Sequence, residues 1–386
     1  MPRALFTPIQ LRDLTLANRI VISPLCQYSA VEGTAQPWHW MHLGAFAISG
    51  AGLLILEATG VSAAGRISPR CLGLYSDENE AALTRLLRDV RQFSQIPIGI
   101  QLNHAGRKAS TYPTWEVWKG HFVPPEQGGW TPMGPSSEPF GPGWLTPVEM
   151  DHKTIRQVRD EFVASARRAD RCGFGWIELH AAHGYLLHQF LSPLANHRTD
   201  GYGGPWSNRM RFPLEVAEAV RAAWPHGKPL GARITGEDWI PGGLTLDDAV
   251  NFAAALKEVG IDYVTPSGGN IGPGMQLPKV GPGYMVPFAE RIRREAGIKT
   301  MTVGMIVEPS QADEIIASGR ADMVAIGRAI MDDPRWPWHA AAKLGEKTDV
   351  PPQYARCTPQ HWPAYPAVHG VALREGEGVM GHASRD

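Results

Sequence analysis

Residues 174–204 read FGWIELHAAHGYLLHQFLSPLANHRTDGYGG. The apolar run Phe174 to Leu179 ends directly in His180-Ala181-Ala182-His183-Gly184-Tyr185. That order puts two imidazoles and a phenol at the carboxyl end of one short strand. In folds built on parallel strands, this is the end that carries chemistry.

Further runs of the same kind occur on both sides: Ile20 to Ser23, Leu53 to Thr59, Ile98 to Leu102, Leu230 to Ile234, Tyr263 to Thr265, Thr300 to Val303 and Met323 to Ile326. Between them lie stretches with helical patterning: Trp38 to Ser49, Glu78 to Ser94, Thr154 to Cys172, Ser207 to Trp224, Leu246 to Val259, Val286 to Ala296, Pro309 to Ser318 and Pro334 to Lys343. In the third, Asp151 and Thr154 are cap candidates, and Ile155, Val158, Phe162, Val163 and Ala166 recur at helical spacing, so one face should be buried. Strands alternating with helices predict an α/β chain with a parallel sheet. Eight such units fit a single (β/α)8 TIM barrel, which needs about 250 residues before insertions. The barrel is expected over residues 1–356, with 357–386 as a C-terminal extension. After strand three, Trp115 to Pro147 is rich in Trp, Pro and Gly and reads as an inserted excursion over the barrel mouth. The tail carries Tyr354, Arg356, Trp362 and Tyr365, which favour docking, while Glu375 to Asp386 reads as frayed.

The chain has 386 residues, 43% hydrophobic and 19% charged, with a formal net charge of -1 and a pI near 6.9. Such a balance offers no basic field for nucleic acid or for anionic lipid, so a small-molecule partner is expected. No apolar run approaches the roughly 20 residues of a membrane span, and the N-terminus does not have the pattern of a secretion signal. Cys26, Cys71, Cys172 and Cys357 lack Cys-x-x-Cys spacing, which speaks against a disulfide framework or a thiolate zinc site. A cytoplasmic enzyme is the expectation.

The strand ends gather Ser23-Pro24-Leu25-Cys26, Ala58, Gln101, His180 with His183, Arg233, Ser267-Gly268, Val303-Gly304 and Gly327-Arg328. Donors and glycines around an apolar tube suit a planar polar ligand with a phosphate tail, the shape of flavin mononucleotide (FMN). Gly304 and Gly327, after strands seven and eight, would let backbone amides approach the phosphate, with Arg328 adding charge; ordinary tight turns are the competing reading. Gln101 could face a pyrimidine edge, and Arg233 could stabilise negative charge on a reduced ring, unless an ion pair with Glu57, Glu178 or Glu237 occupies it. Neutral His180 and His183 could together donate to one carbonyl oxygen, and Tyr185 could deliver a proton. Cys26 could touch a cofactor, act as a nucleophile or fill space, and Tyr28 could cover a substrate or simply pack. A zinc site built from His180 and His183 with His188 or Cys26, serving a hydrolase, is a second reading. A flavin-storing protein without turnover is a third.

Asn18-Arg19-Ile20-Val21-Ile22-Ser23-Pro24 with Cys26 and Tyr28, Gln101 to Lys108, His180 to Gly204, Val303-Gly304-Met305 and Ala325-Ile326-Gly327-Arg328 together resemble the Old Yellow Enzyme family, most closely its bacterial xenobiotic reductase and thermophilic-like class. The resemblance covers nearly all the chain up to about Arg356. It implies an FMN-dependent ene reductase that takes hydride from NADPH or NADH and reduces electron-poor alkenes (enones, enals, nitro compounds) by ping-pong transfer. FMN would be held by Ser23, Pro24, Leu25, Cys26, Ala58, Gln101, Arg233, Gly304, Gly327 and Arg328, with Ser267, Gly268 and Val303 at the same rim and no metal. His180 and His183 would bind the substrate oxygen, Tyr28 would border it, Tyr185 would protonate, and Cys26 would tune the flavin. Gln353-Tyr354-Ala355-Arg356 matches a C-terminal motif that in this class reaches a neighbouring subunit, which implies a homodimer or homotetramer with Arg356 in the neighbour's active site. Trp362 either enters the pocket or belongs to a tail that caps the outside.

Overall fold

The computed structural model describes residues 3–371; the stretch Glu375 to Asp386, expected to fray, lies outside them. The chain enters through a hairpin absent from the sequence reading, β1 (Ile9–Leu11) and β2 (Leu14–Leu16), paired antiparallel. Its strands have only three residues each, too short for an alternating pattern to stand out. The barrel follows with β3 (Ile20–Ile22), β4 (Leu53–Gly60) and β5 (Ile98–Asn103). The excursion then contributes the two-residue strands β6 (Met133–Gly134) and β7 (Val148–Glu149). Next come β8 (Trp176–Ala181), β9 (Leu230–Glu237), β10 (Tyr263–Gly268), β11 (Lys299–Thr302) and β12 (Met323–Ile326). All but β1, β2, β6 and β7 form one closed ring, each strand parallel to its neighbours and β12 closing on β3. The (β/α)8 barrel expected from the sequence is therefore the fold. Strands buried on both faces must be apolar throughout, which is why they read as continuous runs.

Helices α1 (Pro37–Ala47), α2 (Asp77–Arg91), α3 (His152–Cys172), α4 (Leu186–Leu191), α5 (Trp206–Ala223), α6 (Leu246–Glu258), α7 (Val286–Ala296) and α8 (Pro309–Ala317) surround the ring, followed by α9 (Arg328–Asp332), α10 (Trp336–Leu344) and α11 (Tyr365–His369). Their starts follow from side-chain capping. Asp151 accepts the Thr154 N–H at 2.7 Å, so Asp151 is the cap and Thr154 its partner. Thr245 and Asp248 form a reciprocal capping box on α6. The helix expected over Pro334 to Lys343 is α10, and the unexpected α9 ahead of it is kept separate because Pro334 holds Asp333 in an extended conformation (φ -124°, ψ 91°). Helix α4, just after Tyr185, was not legible; its six residues are all buried, so no polar face marks its period.

The hairpin plugs the amino-terminal end of the tube. Ile9, Leu11 and Leu16 share one interior cluster with Trp176, Tyr263, Met301 and Met323. Trp176 donates to the Tyr263 hydroxyl at 2.7 Å, and Tyr263 donates to Glu178 at 3.1 Å. Glu178 also accepts from Thr265 (2.7 Å) and Gln101 (2.8 Å). The tube is thus apolar at its base and polar halfway up. No described helix is long and apolar enough to cross a membrane.

Trp176→Ala should cost about 3–5 kcal/mol, because it empties a fully buried site and removes the donor to the Tyr263 oxygen. Denaturant unfolding would measure this; a loss below about 1 kcal/mol would show that the base of the barrel is not packed as described.

Candidate active site at the mouth of the barrel

The eight parallel strands deliver their carboxyl ends to one rim, and irregularities re-aim residues there. Register shifts fall between Leu56 and Ala58 and between Ser267 and Gly268. Among non-glycine residues with φ between 47° and 70° are Tyr28, Ser110, His183, Trp239, Asn270 and Met305, several of them in segments that line this rim. Such backbone conformations persist where the surroundings impose them.

A cavity of about 400 Å3 opens beside β11 and β12, within the range of about 300–1,000 Å3 typical of small-molecule sites. Ser23, Leu25, Arg233, Ser267, Val303, Gly304, Gly327 and Arg328 line it, together with Tyr284, Met285 and Met305. Gly304 adopts φ 111°, where a Cβ would come within 3.0 Å of the Met285 side chain, so this turn requires glycine. Pro24, Cys26, Ala58, Gln101 and Gly268, the remaining expected cofactor residues, are not part of this lining. A Cβ at Gly268 would meet the Trp239 ring at 2.4 Å.

Arg233 carries the central charge. Among the described residues it forms no ion pair: Nη1 donates to Ser23 Oγ at 3.3 Å, and Nε is buried without a partner. Its expected competitors are engaged elsewhere. Glu57 accepts the Gln27 N–H at 2.9 Å and faces His39 Nε2 at 3.4 Å, while Glu178 serves Gln101, Tyr263 and Thr265. A buried cation with a spare donor needs an electronegative ligand. Because Gln101 spends its amide N–H on Glu178, its carbonyl oxygen remains as the acceptor for a ligand. These features fit a flavin: an orphaned guanidinium donor, an oriented amide and a glycine-lined cradle beside Arg328.

Next to the cavity, Ala58, Ala105 and Cys71 form a small apolar cluster against which Cys26, Tyr28, Trp130 and Tyr185 pack. Contact with the Cys71 thiol, then burial, pushes the Cys26 thiol well above its ordinary range. Cys26 therefore stays protonated at neutral pH, which removes its activation as a nucleophile. Trp115, from the excursion, meets the Tyr28 ring edge-on at 5.5 Å.

His180 accepts the Ala182 N–H on Nδ1 (3.3 Å), leaving its proton on Nε2, which lies 3.4 Å from His183 Nδ1. His183 Nε2 is 2.7 Å from Ser267 Oγ. Burial, then the Arg233 charge, lowers both imidazoles well below the usual histidine value, so both are neutral at pH 7. The Tyr185 ring stands edge-on to His180 at 4.8 Å, and burial keeps its hydroxyl protonated. His188, weighed as a zinc ligand, belongs elsewhere: its Nε2 lies 2.8 Å from Asp238, and both side chains are fully buried. Arg356 is exposed on the tail, where Tyr354 packs on Trp338. Within this chain it is not brought to the mouth. Trp362 packs on Tyr365 and His369.

Sequence reasoning missed Lys108, Trp130, Trp239 and Met285. Only Lys108 carried a signal, as the end of the Gln101 to Lys108 motif. Burial, then Arg107, lowers its pKa to about 7.

A family model described as "NADH:flavin oxidoreductase / NADH oxidase family" matches residues 4–347. NADPH dehydrogenase of Geobacillus thermodenitrificans is 45% identical over 92% of this chain and 99% of its own length. The Bacillus subtilis NADPH dehydrogenase is 42% identical over the same shares. Among solved structures, morphinone reductase superposes with a TM-score of 0.73 at 27% identity, covering 90% of this chain and 92% of its own. A 2-naphthoyl-CoA reductase complex, at TM-score 0.80 but 22% identity and 52% of its own length, shares the fold.

The Lys108 ammonium gives a pH signature. Below about pH 7 it is charged in both folded and unfolded chains, and the folded chain bears the full cost of its burial. Between about 7 and the ordinary 10.5 the folded chain has released a proton that the unfolded chain keeps, so stability rises with pH. Denaturation at pH 7 and pH 9 should therefore show the wild type gaining on Lys108→Met; an unchanged difference would disprove the lowered pKa.

Proposed function

Since the chain belongs to the NADH:flavin oxidoreductase / NADH oxidase family, the family of Old Yellow Enzyme, we propose that it reduces the C=C bond of electron-poor alkenes such as enones and enals. As a member it is an oxidoreductase with FMN as cofactor and NADPH as the nicotinamide partner of its relatives. The single observation that carries the finer reading is the convergence of two neutral imidazoles and a protonated tyrosine beside the flavin cradle.

When bound, FMN supplies the hydride-carrying step between nicotinamide and alkene. Arg233, Gln101 and Ser23 would hold its ring, with Pro24, Leu25, Cys26 and Ala58 against it, and Val303, Gly304, Gly327 and Arg328 would hold its phosphate; Ser267 and Gly268 complete the rim. The rest of the chemistry falls to the mouth. His180 Nε2–H is already oriented as a donor by Ala182. If the Ser267 hydroxyl donates to His183 Nε2, the His183 proton moves to Nδ1, and both inner nitrogens then donate to one substrate oxygen. Neutral donors strengthen as enolate charge develops on that oxygen, lowering the barrier without attracting anions indiscriminately. Tyr185, held protonated, is the donor to the α-carbon. Tyr28 borders the substrate. Nicotinamide and acceptor would use the same mouth in turn, giving ping-pong kinetics. The exposure of Arg356 outside its own mouth supports a homodimer or homotetramer in which it reaches a neighbouring site, in a cytoplasmic enzyme.

The purified protein should show a bound flavin spectrum, bleach anaerobically with NADPH and recover colour with cyclohexenone. Tyr185→Phe should slow recovery by about 100-fold or more while bleaching is little changed. Equal slowing of both phases would remove Tyr185 as the proton donor, and failure of cyclohexenone to restore colour would remove alkene reduction.

His180→Ala should weaken binding of a phenolate, an anionic mimic of the enolate oxygen, by roughly tenfold or more. Calorimetric titration giving wild-type affinity would take His180 out of the oxygen-binding pair.

A further inference from the structure

The turn that aims both His183 and Tyr185 is held through one peptide group. His183 and Gly184 are consecutive residues with positive φ, 57° and 74°. Two left-handed residues in a row are costly when the first bears a side chain, so something must impose them. Glycine at 184 is obligatory, because a Cβ there would lie 2.0 Å from the Asn270 carbonyl oxygen.

We infer that Lys108 and His188 are positioning residues that grip the His183–Gly184 peptide from its two sides. Lys108 Nζ donates to the His183 carbonyl at 2.7 Å and, on the same side, to the Asn270 carbonyl at 3.1 Å. The Gly184 N–H donates to His188 Nδ1 at 2.8 Å. Because Nδ1 accepts, the neutral His188 ring carries its proton on Nε2, which faces Asp238 Oδ1 at 2.8 Å. Asp238 is fixed in turn by Ser192 Oγ and the Leu244 N–H, each at 2.8 Å. The peptide plane cannot rotate without breaking a bond on each side. Losing either bond would free ψ of His183 and φ of Gly184, the two angles that set how the His183 side and the Tyr185 side of the turn are placed relative to each other. The clamp therefore sets the separation of oxygen binder and proton donor, and the Lys108 Nζ, 5.0 Å over the centre of the Tyr185 ring, adds a contact to the donor itself.

This inference rests on the roles proposed above for His183 and Tyr185, but its readouts need not. The holoenzyme with Lys108→Met, His188→Leu and both changes would be tested for phenolate affinity, for the imidazole 15N resonances of His183, and for flavin bleaching and recovery. Each single change should weaken phenolate binding roughly tenfold, shift the His183 resonances and slow recovery by a similar factor. The double variant should lose less than the product of the single losses, because either change already frees the plane. Lys108→Arg, which keeps a charged donor, and His188→Asn, whose amide oxygen can occupy the Nδ1 position, should recover much of the loss. They also guard against the apolar variants failing to fold. Wild-type phenolate affinity and His183 resonances in the apolar variants would overturn the clamp, as would conservative variants no better than the apolar ones. Failure of the wild type to reduce alkenes would remove the catalytic reading while leaving the resonance and affinity tests of the clamp in force.

Discussion

A guanidinium sits in the barrel mouth without a carboxylate to pair with, and much of the surrounding architecture answers to it. Stripping a cation of water is costly, and the usual remedy, a direct ion pair, is withheld from Arg233. Glu178 supplies charge compensation from a distance but spends its oxygens on Gln101, Tyr263 and Thr265. The consequence is a site with standing positive potential and a spare donor. It also explains the protonation of its neighbours: Arg233 follows burial as a cause holding His180 and His183 neutral. The same charge thus calls for an electron-rich ligand and keeps the two imidazoles as hydrogen-bond donors without charge of their own.

Rigidity at the mouth is bought with buried polar contacts behind it. The left-handed turn at His183 and Gly184, the register shifts in β4 and β10, and the glycine at 304 are all conformations that a chain adopts only under constraint. Behind the turn, the β10 shift and Gly304 stand specific neighbours: the Lys108 and His188 contacts, the Trp239 ring against Gly268 and the Met285 side chain against Gly304. Strain concentrated where ligands bind, with satisfied networks around it, is the expected division of labour in a preorganised site.

Much of this was legible in the residues. Parallel strands buried on both faces leave apolar runs, and parallel connections require intervening helices, so the run lengths and spacing gave the barrel directly. Once the barrel stood, the strand ends named most of the mouth, including Ser23, Gln101, His180, His183, Arg233 and Gly304. What could not be read were elements without a period. The β1–β2 hairpin is too short, and α4 is buried on every side. Gly268 could not be assigned for a related reason: a glycine at a strand end looks the same whether it makes room for a ligand or for Trp239.

Local chemistry and its order along the chain thus determined the fold class, the rim and the identity of most groups on it, because those depend on hydrophobic periodicity and on which residue follows each strand. Tertiary structure alone decided what each polar group was bonded to. His188 follows Tyr185 by three residues yet turns to Asp238, fifty positions away, and Lys108 reaches the His183 carbonyl across two strands. Partners so distant in sequence are chosen by the closure of the ring, which brings loop ends together irrespective of their separation. That closure is why the groups could be named from the sequence while their protonation, orientation and support could not.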